Sequence, residues 1–288
     1  MFSALAAHAG LRAPRLRGRL PAMPTATPVA LTIAGSDPSG GAGIAADLKT
    51  FHQHRVYGCA VISLLTVQNT TSLTHVEVLP ASLVAAQLDA VLADIHPRAA
   101  KTGALGSAEI VQAVASRFAD RDIPLIVDTV RIAKHDAVLL DASARRAVID
   151  RLLPVAALIT ANADEAAWLV ERPVRDNGEA QAAAEQLVKL GARGVLIKGG
   201  HLTGVDALDL LLLGGKLTHL RAPRQLARHT HGVGCTLSAA IAANVALGMA
   251  LPEACERAKA FVSAAIASAP GIGQGIGSVD HFAAVSET

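Results

Sequence analysis

Aromatic residues are scarce, at 2% of 288, with Trp168 and Tyr57 each alone of their kind. The stacking platforms on which single-stranded nucleic acid lies are therefore missing. Cysteine is scarce too. Cys59, Cys235 and Cys255 form neither an even-numbered disulfide framework nor a C-x-x-C pair, which points to a reducing compartment, the cytoplasm, and away from structural zinc. Long apolar runs are absent: Ala207 to Leu213 and Val245 to Leu251 are short or broken, far below the ~20 residues of a membrane span. Acids are missing from residues 1–36, which hold Arg12, Arg15, Arg17 and Arg19; without those four, 22 basic residues face 24 acidic ones. The overall charge of +2 and the pI of about 8.5 thus belong to the N-terminal extension. The remainder carries no basic field for DNA or acidic lipid.

What is abundant is aliphatic, with 51% hydrophobic residues, enough for a substantial core. Residues 1–28 are rich in Arg, Ala and Pro, as a transit peptide would be. They contain only Ser3 as serine, however, Pro14 and Pro21 interrupt any helix, and Met23 stands just before the first strand-like run. A disordered tail or a mis-called start is expected there, followed by a single domain over residues 29–288. Strand-like runs at Val29–Ala34, Ala60–Leu65, Ala99–Thr102, Leu125–Val127, Ala157–Thr160 and Gly194–Lys198 alternate with helical patterns. Those patterns fall at Ile44–His52, Ala81–Ile95, Ala108–Phe118, Ala142–Leu153, Asp164–Val170 and Ala180–Leu190, each with apolar residues three and four apart. This order predicts an α/β fold with a doubly wound, mainly parallel central sheet and helices on both faces. A small hairpin from Asp209 to Leu220 and helices near Cys235–Leu247 and Pro252–Ser268 complete the pattern.

Two glycine loops stand out. The first strand ends in Gly35-Ser36-Asp37-Pro38-Ser39-Gly40-Gly41-Ala42-Gly43 and runs into a helix, so backbone can approach a polar or anionic ligand closely. Gly41-x-Gly43-x-x-Ala46 matches a relaxed dinucleotide fingerprint, but no acid lies between Asp47 and Glu77 to hold the ribose, leaving only Arg55 as an argument for NADP. A P-loop sequence is absent. The second loop, His231-Gly232-Val233-Gly234-Cys235-Thr236, opens an Ala-rich helix whose first amides would form an anion hole. At that helix start the Cys235 thiol is expected to have a pKa lowered toward neutrality, fit to accept a proton from a hydroxyl, unless it is simply a small apolar helix residue.

Acidic and basic residues gather at predicted strand ends: Asp128, Asn162 with Glu165, and Lys198 before Gly199-Gly200-His201. Each alone could be a helix cap or a solvated charge. Together, at the edge where open α/β sheets bind ligands, they favour phosphoryl transfer, with oxygen ligands that suit Mg²⁺ and a lysine for phosphate.

Leu31 to Ile44, Ala46-Asp47-Leu48-Lys49-Thr50, Gln68-Asn69-Thr70, Lys198 to His201, and Thr230 to Ala240 resemble segments of the hydroxymethylpyrimidine/phosphomethylpyrimidine kinases of thiamine biosynthesis, in the ribokinase-like superfamily. The resemblance runs from about Ala30 to Phe282. It implies ATP and Mg²⁺ as cofactors, a homodimer, and a pyrimidine pocket of Gly35, Ala42, Asp47 and Gln68. By the same resemblance Cys235 is catalytic, Gly232 and Gly234 stabilise the transferring phosphoryl, Asp128 and Glu165 hold the metal, and Lys198 and Asn162 serve ATP. Pyridoxal kinase activity, or a non-catalytic pyrimidine-binding role, are the alternatives. The sequence departs from the family pattern at Ala104, Arg131, His135-Asp136, His229 and Val233, and Thr160 to Glu165 lacks the usual prolines. Arg131, with Lys134, is expected to border the pocket and favour a phosphorylated substrate.

Overall fold

The computed structural model describes residues 27–131, 139–140, 142–201 and 206–285. Residues 1–26, to which most of the predicted extension belongs, and Lys134, His135 and Asp136 lie outside them. Nine strands form one sheet: β1 (Val29–Ser36), β2 (Tyr57–Gln68), β3 (Leu73–Val78), β4 (Ala99–Thr102), β5 (Leu125–Asp128), β6 (Leu158–Asn162), β7 (Gly194–Lys198), β8 (Asp206–Leu213) and β9 (Lys216–Pro223). Their order is β3-β2-β1-β4-β5-β6-β7-β8-β9. The six strands from β2 to β7 run parallel, and β3, β8 and β9 are antiparallel additions at the edges.

The helices are α1 (Gly43–Gln53), α2 (Ala81–Asp94), α3 (Ala108–Phe118), α4 (Ala142–Ala147), α5 (Ala163–Val170), α6 (Asn177–Lys189), α7 (Val233–Ala246) and α8 (Leu251–Ala267). Central strands are buried on both faces, so they are mostly apolar and their apolar residues alternate in which layer they enter, with Thr32, Lys101 and Asp128 among the buried polar exceptions. Leu31, Ile33, Leu125, Val127, Val195 and Ile197 pack beneath α2 to α6. Ala30, Ile126, Leu158 and Leu196 meet α1, α7 and α8 on the other side. The expected helix at Ala142–Leu153 is shorter: after Ala147 it widens into a π turn, Val148–Leu152, and ends in a 3₁₀ turn, Leu153–Val155. Pro154, with no N–H to donate, cannot continue the α-helical ladder.

Helix starts differ in a way that matters for the site. Ser107 accepts the Ile110 N–H to cap α3, and Asn162 and Glu165 form a reciprocal capping box on α5. Helices α1 and α7 begin after Ala42 and Gly232 with no side-chain cap, so their first amides have no acceptor from a cap residue. Both start at the carboxyl edge of the sheet, beside β1, where the strand order reverses. That is the crevice in which open α/β sheets bind ligands.

Candidate active site

A cavity of about 210 Å³ opens at this crevice. Gly35 from the end of β1 and Ala42 from the loop after it form one wall, Gln68 and Thr66 reach in from β2, and Ala104 closes the side beyond β4. Asp128, Asn162, Glu165 and Lys198 stand at the ends of β5, β6 and β7, and Gly232, Gly234 and Cys235 face them from the start of α7. Of the eleven residues to which the resemblance gives a catalytic, substrate, nucleotide or metal role, all but Asp47 are on this surface.

The charged end is built by strand register. Asn162 pairs with Lys198 across β6 and β7, and Asp128 with Thr160 across β5 and β6. Lys198 Nζ thereby comes 2.9 Å from Asp128 Oδ1 and 3.5 Å from Glu165 Oε2. Asp128 also accepts hydrogen bonds from Thr160 Oγ1 (2.9 Å) and Ser238 Oγ (3.2 Å). Burial alone would raise the Asp128 carboxyl, but Lys198 and Lys101 outweigh it and hold it ionised below its ordinary range. Glu165 is pushed up, burial exceeding the pull of Lys198. A Cβ placed on Gly234 would lie 3.3 Å from Lys198 Nζ and 3.7 Å from Asp128 Oδ2, so the first turn of α7 and the ammonium face each other at close range.

Among the described residues no three His, Cys, Asp or Glu side chains form a metal cluster. Asp128 and Glu165 supply hard oxygen donors, and Mg²⁺ takes one or two carboxylates when phosphates and water complete its shell. The residues therefore fit Mg²⁺ arriving with a nucleotide. Asn162 fits less well, because its amide oxygen already accepts the Glu165 N–H at 2.8 Å as the cap of α5.

Two sequence expectations are corrected. The Cys235 thiol is not lowered but pushed up to about 11, because desolvation exceeds the attraction of Lys101 and the carboxylates of Asp47 and Asp128 oppose ionisation. Asp47 is fully buried behind the pocket wall, with Lys101 Nζ 3.1 Å from both its oxygens and Thr32 Oγ1 donating at 2.6 Å. It is absent from the residues that line the cavity. Arg131 is a third departure: its guanidinium lies over the Trp168 ring, 5.6 Å from the centroid, while its neighbour Val130 lines the cavity.

Lys101, Asp37 and His231 were not singled out from sequence. His231 Nε2–H donates to Asp37 Oδ2 at 2.8 Å, and both side chains reach the cavity surface. Asp37 also accepts from the Ser39 N–H (2.8 Å) and Ala42 N–H (2.9 Å). Burial works against ionisation, yet these donors hold its pKa at about 2 instead of the ordinary 3.8. A depressed carboxyl stabilises the fold above its unfolded pKa and releases that stability as pH falls through the folded value. Urea unfolding of the wild type minus Asp37→Asn should therefore show a difference of about 2 kcal/mol at pH 5 that shrinks between pH 4 and pH 2. A pH-independent difference would mean that the carboxylate charge contributes nothing.

A doubly wound sheet with an uncapped helix start facing a lysine and two carboxylates across a small pocket defines a kinase of ribokinase-like architecture. The comparisons agree and narrow it. The family profile described as phosphomethylpyrimidine kinase matches residues 37–280, and the chain belongs to that family. A hydroxymethylpyrimidine/phosphomethylpyrimidine kinase of Streptomyces coelicolor is 46% identical over 267 residues, spanning 93% of this chain and 99% of its own. Among solved structures, the ADP complex of Bacillus subtilis pyridoxal kinase superposes with a TM-score of 0.84 at 34% identity, covering 89% of this chain and 98% of that one. The phosphomethylpyrimidine kinase from Clostridium difficile 630 gives 0.72 at 37% identity, covering 82% and 97%.

Proposed function

We propose that this chain is an ATP-dependent kinase of hydroxymethylpyrimidine and then of its monophosphate, in thiamine biosynthesis. The observation that carries this reading is the juxtaposition of a single-ring pocket with a cationic, amide-lined end. At about 210 Å³ the pocket is below the ~300–1,000 Å³ of drug-sized ligand sites. It suits one substituted ring and is small for a dinucleotide. Gln68 offers both an acceptor and a donor to ring nitrogens and an amino group, which apolar walls alone could not discriminate.

Lys198 would neutralise the transferring phosphoryl, and the amides at the start of α7 would receive the charge spread over its oxygens. Asp128 and Glu165 would hold a Mg²⁺ ion arriving with the nucleotide, and that ion would neutralise phosphate charge. Cys235 faces the acceptor end as a protonated thiol around neutral pH. Phosphoryl transfer through a loose transition state asks little of a base until late, so a thiol that hydrogen-bonds and orients the hydroxyl suffices. A second cavity of about 490 Å³, lined by residues such as Arg224, Leu226, Arg228 and Ile266, would seat the base and ribose. Arg224 Nη1 donates to the Gly200 carbonyl at 2.7 Å and joins that cavity to the Lys198 end.

A coupled ADP-release assay tests the reading: ATP turnover should start on adding hydroxymethylpyrimidine and continue to the diphosphate. Cys235→Ala should lower kcat by ~10²-fold while leaving both KM values within a few fold. An unchanged kcat removes Cys235 from the chemistry. Pyridoxal kinase activity is the second reading, favoured by the small Ala104 at the ring wall and by the fold shared with the Bacillus subtilis enzyme. The ratio of kcat/KM values for the two ring compounds decides between them. A homodimer in the cytoplasm belongs to the same proposal, supported by the exposed Leu65 and Val67 of β2, and sedimentation tests the dimer. No helix among the described residues is long and apolar enough to cross a membrane.

A further inference from the structure

We propose that Asp37 and His231 are a positioning pair that holds the anion-binding turn in register with the acceptor pocket. The site has two halves that share no stretch of sequence. The end of β1 and the loop after it carry Gly35 and Ala42 on the acceptor side, and the turn that opens α7 carries Gly232 as its cap and Gly234 in its first turn on the phosphoryl side. The pair joins residues 194 positions apart and crosses directly from one half to the other.

The turn needs such an anchor. Two glycines in three residues leave it with much backbone freedom to lose, and α7 has no side-chain cap to order its start. Around the pair the two loops are in close contact. A Cβ on Gly41 would approach His231 Cδ2 to 2.6 Å, and one on Gly232 would collide with the Gly41 carbonyl oxygen. The His231 N–H donates to the Gly277 carbonyl at 3.0 Å, fixing the other side of the ring's own backbone. Asp37 is in turn fixed by the Ser39 and Ala42 amides, so it is a rigid post in the acceptor wall. Ground-state binding of the ring needs only the acceptor wall, whereas transfer needs wall and turn aligned, and misplacement by ~1 Å costs ~10²-fold in rate.

The inference deepens the kinase reading and rests on it. Asp37→Ala and His231→Ala should each lower kcat 10- to 100-fold while KM for hydroxymethylpyrimidine stays within about threefold. The double variant should be no slower than the slower single one, because the two act as a unit. Asp37→Asn should recover most of the loss, its amide oxygen still accepting from His231. Hydrogen exchange read by mass spectrometry should rise at least tenfold in a peptide covering Val233–Thr236 and remain unchanged in one covering β5. Single variants with kcat within twofold of the wild type, multiplying effects in the double variant, or unchanged exchange in the turn would each overturn the assignment. If Asp37→Ala does not fold, His231→Ala decides on the same readings. A wild type that releases no ADP with hydroxymethylpyrimidine would instead refute the kinase reading, and the exchange result would still decide the positioning role.

Discussion

Replacing Gly232 by alanine is expected to lower turnover on the order of 10³-fold. Gly232 has φ +82°, a left-handed conformation that residues with a Cβ adopt only under strain, and an added methyl would collide with the carbonyl oxygen of Gly41. Gly41 packs closely against His231 and Ser278, in a loop already tied to the turn through Asp37, which resists movement of that oxygen. The turn itself must shift, and Gly234 moves with it, away from Lys198 and the transferring group. Gly232 itself belongs to neither hydrophobic layer, so thermal unfolding should still be cooperative. Steady-state kinetics would show the loss almost wholly in kcat. A variant within tenfold of the wild type would mean that these amides do not carry phosphoryl charge.

Much of the frame was readable from local pattern. Ala99–Thr102, Ala108–Phe118 and Gly194–Lys198 are found with the expected ends. Their limits are chemical: the two strands are apolar runs closed by Thr or Lys, and the helix starts one residue after a Ser cap. The β3 strand was missed. Leu73-Thr-His-Val-Glu-Val does alternate, but it is an edge strand paired only with β2 and none of its residues is fully buried. An apolar-run criterion tuned to central strands passes over such a segment.

The site was legible where topology alone places residues and illegible where tertiary burial decides their chemistry. Parallel strands bring Asp128, Asn162 and Lys198 to one edge whatever their neighbours are, so position could be anticipated. The Cys235 prediction weighed only the helix start beneath it, and burial by packed surroundings reversed the sign. Asp37 and His231 were in view as loop residues, but nothing local says that one reaches the other. Arg131 follows the strand-end Asp128 by three residues and was expected at the pocket, yet its guanidinium lies over Trp168 and it does not line the cavity.

Asp47 is the sharpest case, and Lys101→Met tests it. The side chains of Lys101 and Asp47 are both fully excluded from solvent, and each has the other as its counter-charge. If Asp47 were a substrate ligand, removing Lys101 would change mainly binding. If the pair is a buried structural bridge, methionine leaves a carboxylate without its counter-ion beneath β1, and breaking a buried pair costs about 3–5 kcal/mol. The lost charge also faces Cys235 and Asp128, so turnover should fall as well. The expected result is a fall in melting temperature on the order of 10 °C, with Asp47→Leu/Lys101→Met recovering much of it, because an apolar pair of similar volume needs no hydration. The same double variant should stay slow despite its recovered stability, which separates the electrostatic contribution to catalysis from the structural one. Lys101→Met melting within about 2 °C of the wild type, less than 1 kcal/mol, would refute the bridge and return Asp47 to the list of groups that meet the substrate.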